Sequence, residues 1–166
     1  LIGGSGEVAV IAHDNTSRTG IDRVAGFTDK IAADYADVTV VDVQYGGGDQ
    51  LKSTDLAKAI ITANPDLKGF FGANEGSIIG VLNAVKELGK EGEIVVIGYD
   101  SGKQQMDAIR DGSESGAITQ DPIGIGYKCV EAAVKAMKGE DLPKEIDTGF
   151  HWYDKDNIDS DTIKAL

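Results

Sequence analysis

Five short runs of apolar, mostly β-branched residues alternate along this chain with longer stretches of helical periodicity. Short runs of this kind, bounded by glycine or polar residues, are typical of strands buried on both faces of a sheet. Strands that alternate with helices form a parallel sheet with right-handed crossovers and helices on both faces. The alternation therefore predicts an α/β fold, and the less regular tail is expected to hold one further strand. The predicted strands are EVAVIAH (7–13), VTVVDVQ (38–44), KGFFGAN (68–74), EIVVIGY (93–99) and SGAITQ (115–120).

Composition narrows the class of protein further. The chain has 166 residues, of which 41% are hydrophobic and 27% charged, which suits one folded domain with a substantial core. A net charge of −12 disfavours nucleic acid and anionic membranes, because the field of the protein repels phosphates. The single cysteine, Cys129, excludes an internal disulfide, and its place on a helical stripe with Ile125, Ala132 and Ala136 predicts a packed core thiol.

Polar residues stand where the predicted strands end. Asn74, Asp100 and Gln120 each follow a strand, and the first strand is followed by the polar run His13 to Arg18. The carboxyl ends of parallel strands share one edge, so these side chains are expected to meet in one crevice. Carboxylate, amide and guanidinium groups beside the aromatic ring of Tyr99 are the mixture that a sugar needs.

A structural role competes with the ligand role at each position. Asn and Asp are preferred helix N-caps, and Asn74 and Asp100 both precede predicted helices. Asp100 is therefore either the N-cap of the helix that follows it or an acid that faces a ligand. What favours the ligand role is that several polar side chains coincide along one edge of the sheet.

Other chemistries fit the sequence poorly. YGGGDQLKST resembles a phosphate-binding loop, but Leu51 stands where the second glycine is required. His13 and His151 lack zinc-binding spacing, and no nucleophile can be paired with a base. The sequence therefore predicts no catalytic residue, no metal site and no cofactor, and it does not support an enzyme.

Three segments resemble the periplasmic sugar-binding proteins of ABC transporters, ribose/galactose type, and the resemblance extends from Glu7 to about Asn157. Its most specific parts are Ala73-Asn74, Gly98-Tyr99-Asp100 and Thr119-Gln120. The segments are GFFGANEGSIIGVLNAVKELG, VVIGYDSGKQQMDAIRDG and GAITQDPIGIGYKCVEAAVKAMKGE.

The resemblance implies a sugar site. Asn74, Asp100 and Gln120 match residues that hydrogen-bond sugar hydroxyls, and Tyr99 matches an aromatic just before the binding acid. The first strand end departs from the pattern, because counting back from Gly26-Phe27 to the family's arginine gives Ile21. Arg18 is taken as its substitute. His13 and Asn15 resemble the glucose/galactose branch, and Gly48 stands where a relative has a stacking aromatic, so the ligand is expected to differ from ribose.

The resemblance also implies an organisation and partners. Residues 1–120 match a flavodoxin-like C-terminal sugar-binding lobe, 121–145 a crossing segment with a helix that docks on a missing N-terminal lobe, and 146–166 a return strand and tail. The opening LIGGSG reads as a helix end, which predicts a longer chain. The implied partners are a monosaccharide or polyol and a membrane permease, with no nucleic acid. The implied location is periplasmic or extracellular and membrane-associated.

Two other functions stay open at this point. Sugar-responsive repressors share the fold, so the chain is alternatively an inducer-binding core, although Tyr99-Asp100-Ser101-Gly102 is more typical of transport proteins. A stand-alone flavodoxin-like module for protein contacts leaves the polar strand ends unexplained. Without its partner lobe, the helix after Pro122 presents apolar residues on two sides, and a homodimer, swapped helices or a retained second chain are expected outcomes.

Overall fold

A six-stranded sheet forms the centre of the computed structural model, which describes residues 1–165. The strands are β1 (Gly6–Ala12), β2 (Val38–Tyr45), β3 (Leu67–Gly72), β4 (Val95–Tyr99), β5 (Gly116–Gln120) and β6 (Phe150–Tyr153). The helices are α1 (Arg18–Asp34), α2 (Gln50–Ala63), α3 (Glu75–Glu87), α4 (Lys103–Asp111), α5 (Pro122–Met137) and α6 (Asp161–Lys164).

The strand order in the sheet is β2-β1-β3-β4-β5-β6. Strands β1 to β5 are parallel, whereas β6 runs antiparallel to β5. This order confirms the predicted α/β fold, and β6 is the further strand expected in the tail. The chain steps from β1 to β2 on one side and then crosses to β3 on the other. Such a switch point opens a crevice at the carboxyl ends of β1 and β3, where open sheets bind ligands.

Three apolar clusters hold the helices to the sheet. Helices α2 and α3 cover one face, where Ile60, Ile78 and Phe70 belong to one buried cluster. Helix α1 covers the other face, where Phe27 stacks on Phe71 with ring centres 5.0 Å apart. A third cluster packs α4 against β6 and the tail. Although the tail is rich in acidic residues, it buries Ile158 and Ile163 in this cluster.

Helix α5 differs from the other long helices, because none of its residues is buried within the described part of the chain. Cys129 is exposed, so the prediction of a packed core thiol is wrong. The helical stripe exists, but no layer of residues 1–165 covers it. The large hydrophobic side chains that the helix leaves exposed are Ile123, Tyr127, Val130, Val134 and Met137.

Among residues 1–165, no helix has both the length and the apolar character needed to cross a membrane.

Candidate functional site

The candidate site lies along the carboxyl edge of the sheet, where four parallel strands end side by side. His13 follows β1, Asn74 follows β3, Tyr99 ends β4 and Gln120 ends β5. Because β1, β3, β4 and β5 are consecutive neighbours in the sheet, the residues at their ends form one row. The topology thus brings together side chains that are far apart in sequence, such as His13 and Gln120.

Arg23 joins the ends of β3, β4 and β5. Its Nη1 donates to the backbone oxygen of Ala73 at 2.9 Å, and its Nη2 donates to Gln120 Oε1 at 3.3 Å. The guanidinium carbon lies 3.6 Å from the centre of the Tyr99 ring, a close cation–π contact. The guanidinium is thus fixed by three separate contacts, and the residue is half-buried.

Arg18, the arginine favoured from the sequence, does not join this group. Its side chain is 87% exposed, and Nε donates to Asp22 Oδ2 at 2.6 Å, one helical turn away. The sequence did not single out Arg23, because counting back from Gly26-Phe27 under the family resemblance gave Ile21. Helical spacing was the signal that identifies it: Arg23 is three residues after the buried Gly20 and four before Phe27, on the face of α1 that meets the sheet.

Asp100 has a left-handed backbone, with φ of 84°, which turns the chain sharply after β4. Its carboxylate Oδ2 accepts a hydrogen bond from the Glu75 amide at 2.9 Å. The N-cap position of α4 is Gly102, which has no side chain to cap with. Asp100 is therefore not the N-cap of the following helix. It instead places a carboxylate at the N-terminus of the neighbouring helix α3, where the helix dipole favours negative charge.

Asn74 has the structural role that competed with ligand binding. Its Oδ1 accepts from the Ser77 amide at 3.3 Å and caps α3. Its amide nitrogen points toward the Gly46–Gly48 loop, since a Cβ on Gly48 would lie 3.5 Å from Asn74 Nδ2 and 3.9 Å from the Cβ of His13. His13, Gly48 and Asn74 are therefore neighbours, and the amide group of Asn74 keeps donor capacity for a further partner.

The loop after β1 is closed by its own hydrogen bonds. Asp14 Oδ1 accepts from the Thr16 amide at 2.7 Å and from the Ser17 amide, and these bonds hold the pKa of Asp14 far below its usual value. His13 Nε2 lies 3.2 Å from Ser17 Oγ, whereas its Nδ1 is buried without a partner among residues 1–165. Asn15 lies exposed in this loop.

A hollow of about 430 Å³ opens beside the row of strand ends. Its walls include Tyr99 and Gln120 on one side and the segment 146–150 on the other. Within the described residues, no cluster of histidine, cysteine and acidic side chains is arranged to hold a metal ion. The site thus offers hydrogen-bonding groups and an aromatic edge.

Residues 1–141 match the model of a family described as periplasmic binding protein domain. The ribose import binding protein of Escherichia coli (strain K12) is 33% identical over 134 residues, which make up 81% of this chain and 43% of that protein.

Two solved structures of solute-binding proteins from Agrobacterium vitis match nearly the whole chain. One, bound with α-D-tagatopyranose, has a TM-score of 0.93 at 33% identity and covers 98% of this chain and 54% of its own. The other, with bound D-fucose, has a TM-score of 0.94 at 33% identity, with corresponding shares of 99% and 57%. This chain therefore spans about half the length of the relatives it matches.

Proposed function

Because this chain belongs to the periplasmic binding protein domain family, we propose that it forms the sugar-binding lobe of a solute-binding protein that serves an ABC importer. The observation that carries the proposal is the row of Asn74, Asp100 and Gln120 at the carboxyl edge, with Arg23 fixed among them. A monosaccharide or similar polyol has hydroxyls that donate and accept in alternation, and these side chains supply both functions.

Each side chain has a distinct part in the proposed binding. Asp100 accepts from sugar hydroxyls while its other oxygen stays on the Glu75 amide, and charge-assisted bonds of this kind are the stronger ones. Asn74 and Gln120 donate through their amide groups. Arg23 takes the place first given to Arg18, and Tyr99 supports its guanidinium from below. His13 and Asn15 border the pocket from the loop after β1.

The proposed mechanism is capture by closure, with no bond made or broken. A small-ligand site usually buries about 70–90% of its ligand, and a single lobe covers only one side of a sugar. We therefore propose that a second, N-terminal lobe closes over this edge and that the closed form is recognised by a membrane permease. The exposed apolar side chains of α5 support a docking role on that second lobe, as the division 1–120, 121–145 and 146–166 implies.

The transport role is favoured over the inducer-binding core of a repressor. The relatives reported above are an import binding protein and two solute-binding proteins of ABC transporters. The net charge of −12 also makes nucleic acid an unfavourable partner for this lobe. With the transport role we propose a periplasmic or extracellular location at the membrane, which the family description supports.

The proposal is tested by replacing Asp100 in the protein that carries both proposed lobes. Asn tolerates a left-handed backbone, so Asp100→Asn keeps the turn but removes the charge. We expect a loss of about 1.5–3 kcal/mol in sugar binding, the usual contribution of a hydrogen bond to a charged group. Isothermal titration calorimetry with D-ribose, D-tagatose and D-fucose measures it.

The matched control is Asp66→Asn, which removes the same charge from an exposed acid at the opposite end of the sheet, just before β3. Its affinity is expected to equal that of the unaltered protein. Equal affinity for the Asp100 variant would refute the assignment of Asp100, and no binding of any sugar by the unaltered protein would refute the function.

A further inference from the structure

Glu114 is a buried acid in the loop between α4 and β5. Its side chain is 1% exposed, and both carboxyl oxygens lie without a hydrogen-bond partner among the described residues. A buried carboxylate without a partner costs several kcal/mol, so a native protein seldom keeps one that has no role. Glu114 is not part of the proposed sugar-binding row at the edge of the sheet, so that row does not account for its burial.

Gly98 makes the space that Glu114 occupies. A Cβ at position 98 would lie 2.2 Å from Glu114 Oε1 and 2.5 Å from Gln105 Oε1, so a side chain there would displace the ends of both residues. The carboxyl group and the Gln105 amide therefore meet beneath β4, in the space that a side chain would otherwise fill. Gln105 is itself fully buried.

Gln105 and Tyr153 connect this buried pair to the candidate sugar site. Gln105 Nε2 donates to the backbone oxygen of Tyr99 at 2.9 Å, and the Tyr153 hydroxyl donates to the backbone oxygen of Asp100 at 2.6 Å. These are the two residues at which the strand ends and the chain turns with a φ of 84°. The buried side chains thus hold both carbonyls of the turn that presents Asp100 to the crevice.

We propose that Glu114 is a positioning residue for the sugar site, which donates its carboxyl hydrogen to Gln105 Oε1 and thereby fixes the Tyr99–Asp100 turn. This inference rests on the proposed function, because it concerns how that site is held. When Gln105 Oε1 accepts the hydrogen bond from Glu114, the amide group is held in the orientation in which its Nε2 donates to the backbone oxygen of Tyr99. The same oxygen lies 3.4 Å from the Tyr153 hydroxyl, so the three side chains form one cluster.

The charge state of Glu114 follows from its burial. Burial raises the pKa of Glu114 from 4.5 to about 9, so the carboxyl group keeps its proton at neutral pH. The titratable groups that act on Tyr153 of β6 are the acids Glu114, Asp100 after β4 and Glu75 on α3. Burial together with the nearby Glu114 also raises the pKa of Tyr153. Ionised Glu114 has no hydrogen to donate, so its carboxylate and the Gln105 oxygen repel each other. The Gln105 amide is then no longer held in place, and the Tyr99–Asp100 turn becomes less rigid.

The test of the coupling needs no sugar. In this chain labelled with ¹³C, directly detected carbon spectra report the Glu114 carboxyl group and the backbone carbonyls of Tyr99 and Asp100 between neutral and alkaline pH. We expect both carbonyl signals to shift with the Glu114 titration, with a midpoint near 9. The Ala73 carbonyl, which accepts from Arg23, is the internal control and is expected to lack this step.

Two variants separate positioning from mere packing. Glu114→Gln has a donor at every pH, so its carbonyl signals are expected to show no alkaline step. Glu114→Leu has no donor, so the Tyr99 and Asp100 signals are expected at the ionised position throughout. Glu114 titrating while the two carbonyls stay unmoved would overturn the inference, as would a midpoint at the ordinary value of 4.5.

Sugar binding then tests the functional consequence in the protein that carries both proposed lobes. The probes are D-ribose, D-tagatose and D-fucose. At one pH unit above the midpoint of the Glu114 titration, binding by the unaltered protein is expected to be about tenfold weaker than at neutral pH. Binding by Glu114→Gln is not expected to weaken in this way. Equal pH profiles for the two proteins would overturn the positioning role. No binding at neutral pH would instead overturn the proposed function, while the carbonyl signals still decide the coupling.

Discussion

Arg23 shows at the scale of one residue how a site is assembled across distant segments. It contacts Ala73, Tyr99 and Gln120, which lie at the carboxyl ends of three different strands. A guanidinium fits this place because its planar group of five donors serves two acceptors while one face lies on an aromatic ring. Lysine has neither the planar fork nor the stacking face, so the position requires arginine.

Replacing Arg23 is expected to weaken sugar binding in the protein that carries both proposed lobes. Arg23→Leu removes the hydrogen bond that orients Gln120 and the cation–π contact with Tyr99. We expect an affinity loss of about tenfold or more, which is typical for hydrogen bonds to a charged group. Calorimetric titration with D-ribose, D-tagatose and D-fucose measures the loss. Arg18→Leu is the matched control, since Arg18 is 87% exposed and pairs with Asp22 one helical turn away. An equal loss in the two variants would contradict this role.

Glu114 also makes the stability of the fold depend on pH. Its pKa is about 9 in the folded chain against 4.5 for an unburied group, so the folded state binds more protons between these values. The free energy of unfolding therefore falls as pH rises through this window, by up to about 1.4 kcal/mol per pH unit. Urea denaturation at about pH 5, 7 and 9 measures the fall, and Glu114→Gln is expected to flatten it. Parallel slopes for the two proteins would contradict the prediction.

At the scale of one element, helix α5 has a well-defined start but no residue that is buried within the described part of the chain. It has an N-cap in Asp121, whose side chain accepts from the Gly124 amide at 2.8 Å, and it starts with Pro122. These signals set where the helix begins, as expected for a proline in the first turn. However, most of the stability of a helix of 16 residues comes from packing, and none of its residues is buried.

We expect the backbone amides of α5 to exchange with solvent at least about tenfold faster than those of α3, which is packed on the sheet. Hydrogen exchange followed by mass spectrometry on this chain measures both helices in one experiment. In the protein that carries both proposed lobes, the same α5 amides are expected to become protected. Protection of α5 equal to that of α3 in a monomer of this chain would show that α5 needs no partner.

At the scale of the whole molecule, the carboxyl ends of the parallel strands form one edge of the sheet. The row of strand-end side chains is supported from within the lobe by α1, α3 and the buried cluster at Glu114, while the crevice itself stays open. The net charge of −12 makes nucleic acid an unfavourable ligand. Under the proposed function, the affinity for a sugar should therefore depend on the second lobe that closes over this edge, because a single lobe covers only one side of a sugar.

This chain alone is expected to bind sugars weakly, with a dissociation constant near millimolar, which corresponds to about −4 kcal/mol. Chemical shift changes of the Gln120 and Asn74 side-chain amides on addition of D-ribose, D-tagatose or D-fucose measure the affinity. Native mass spectrometry of the same sample establishes whether the chain is a monomer, a homodimer or a complex. A micromolar dissociation constant for a monomer would contradict the need for a second lobe.

The order of strands and helices was determined by the sequence itself. Runs such as VTVVDVQ and the helical spacing of Ile78, Ile79 and Leu82 are local patterns, and the structure confirms the strand and the helix that they predicted. The α/β fold follows from their alternation, because parallel strands require crossovers. The N-cap of α3 was also readable, since Asn74 directly precedes the helix that it caps.

Only the tertiary structure decided which side chains meet. Arg23 rather than Arg18 reaches the strand ends, since its position on α1 faces the sheet. Asp100 contacts α3 rather than the helix that follows it, and Glu114 meets Gln105 only because Gly98 leaves the space. Cys129 lies on a stripe typical of a core helix, yet it is exposed. Periodicity states which face of a helix is apolar, whereas the neighbour on that face is set by contacts between segments distant in sequence.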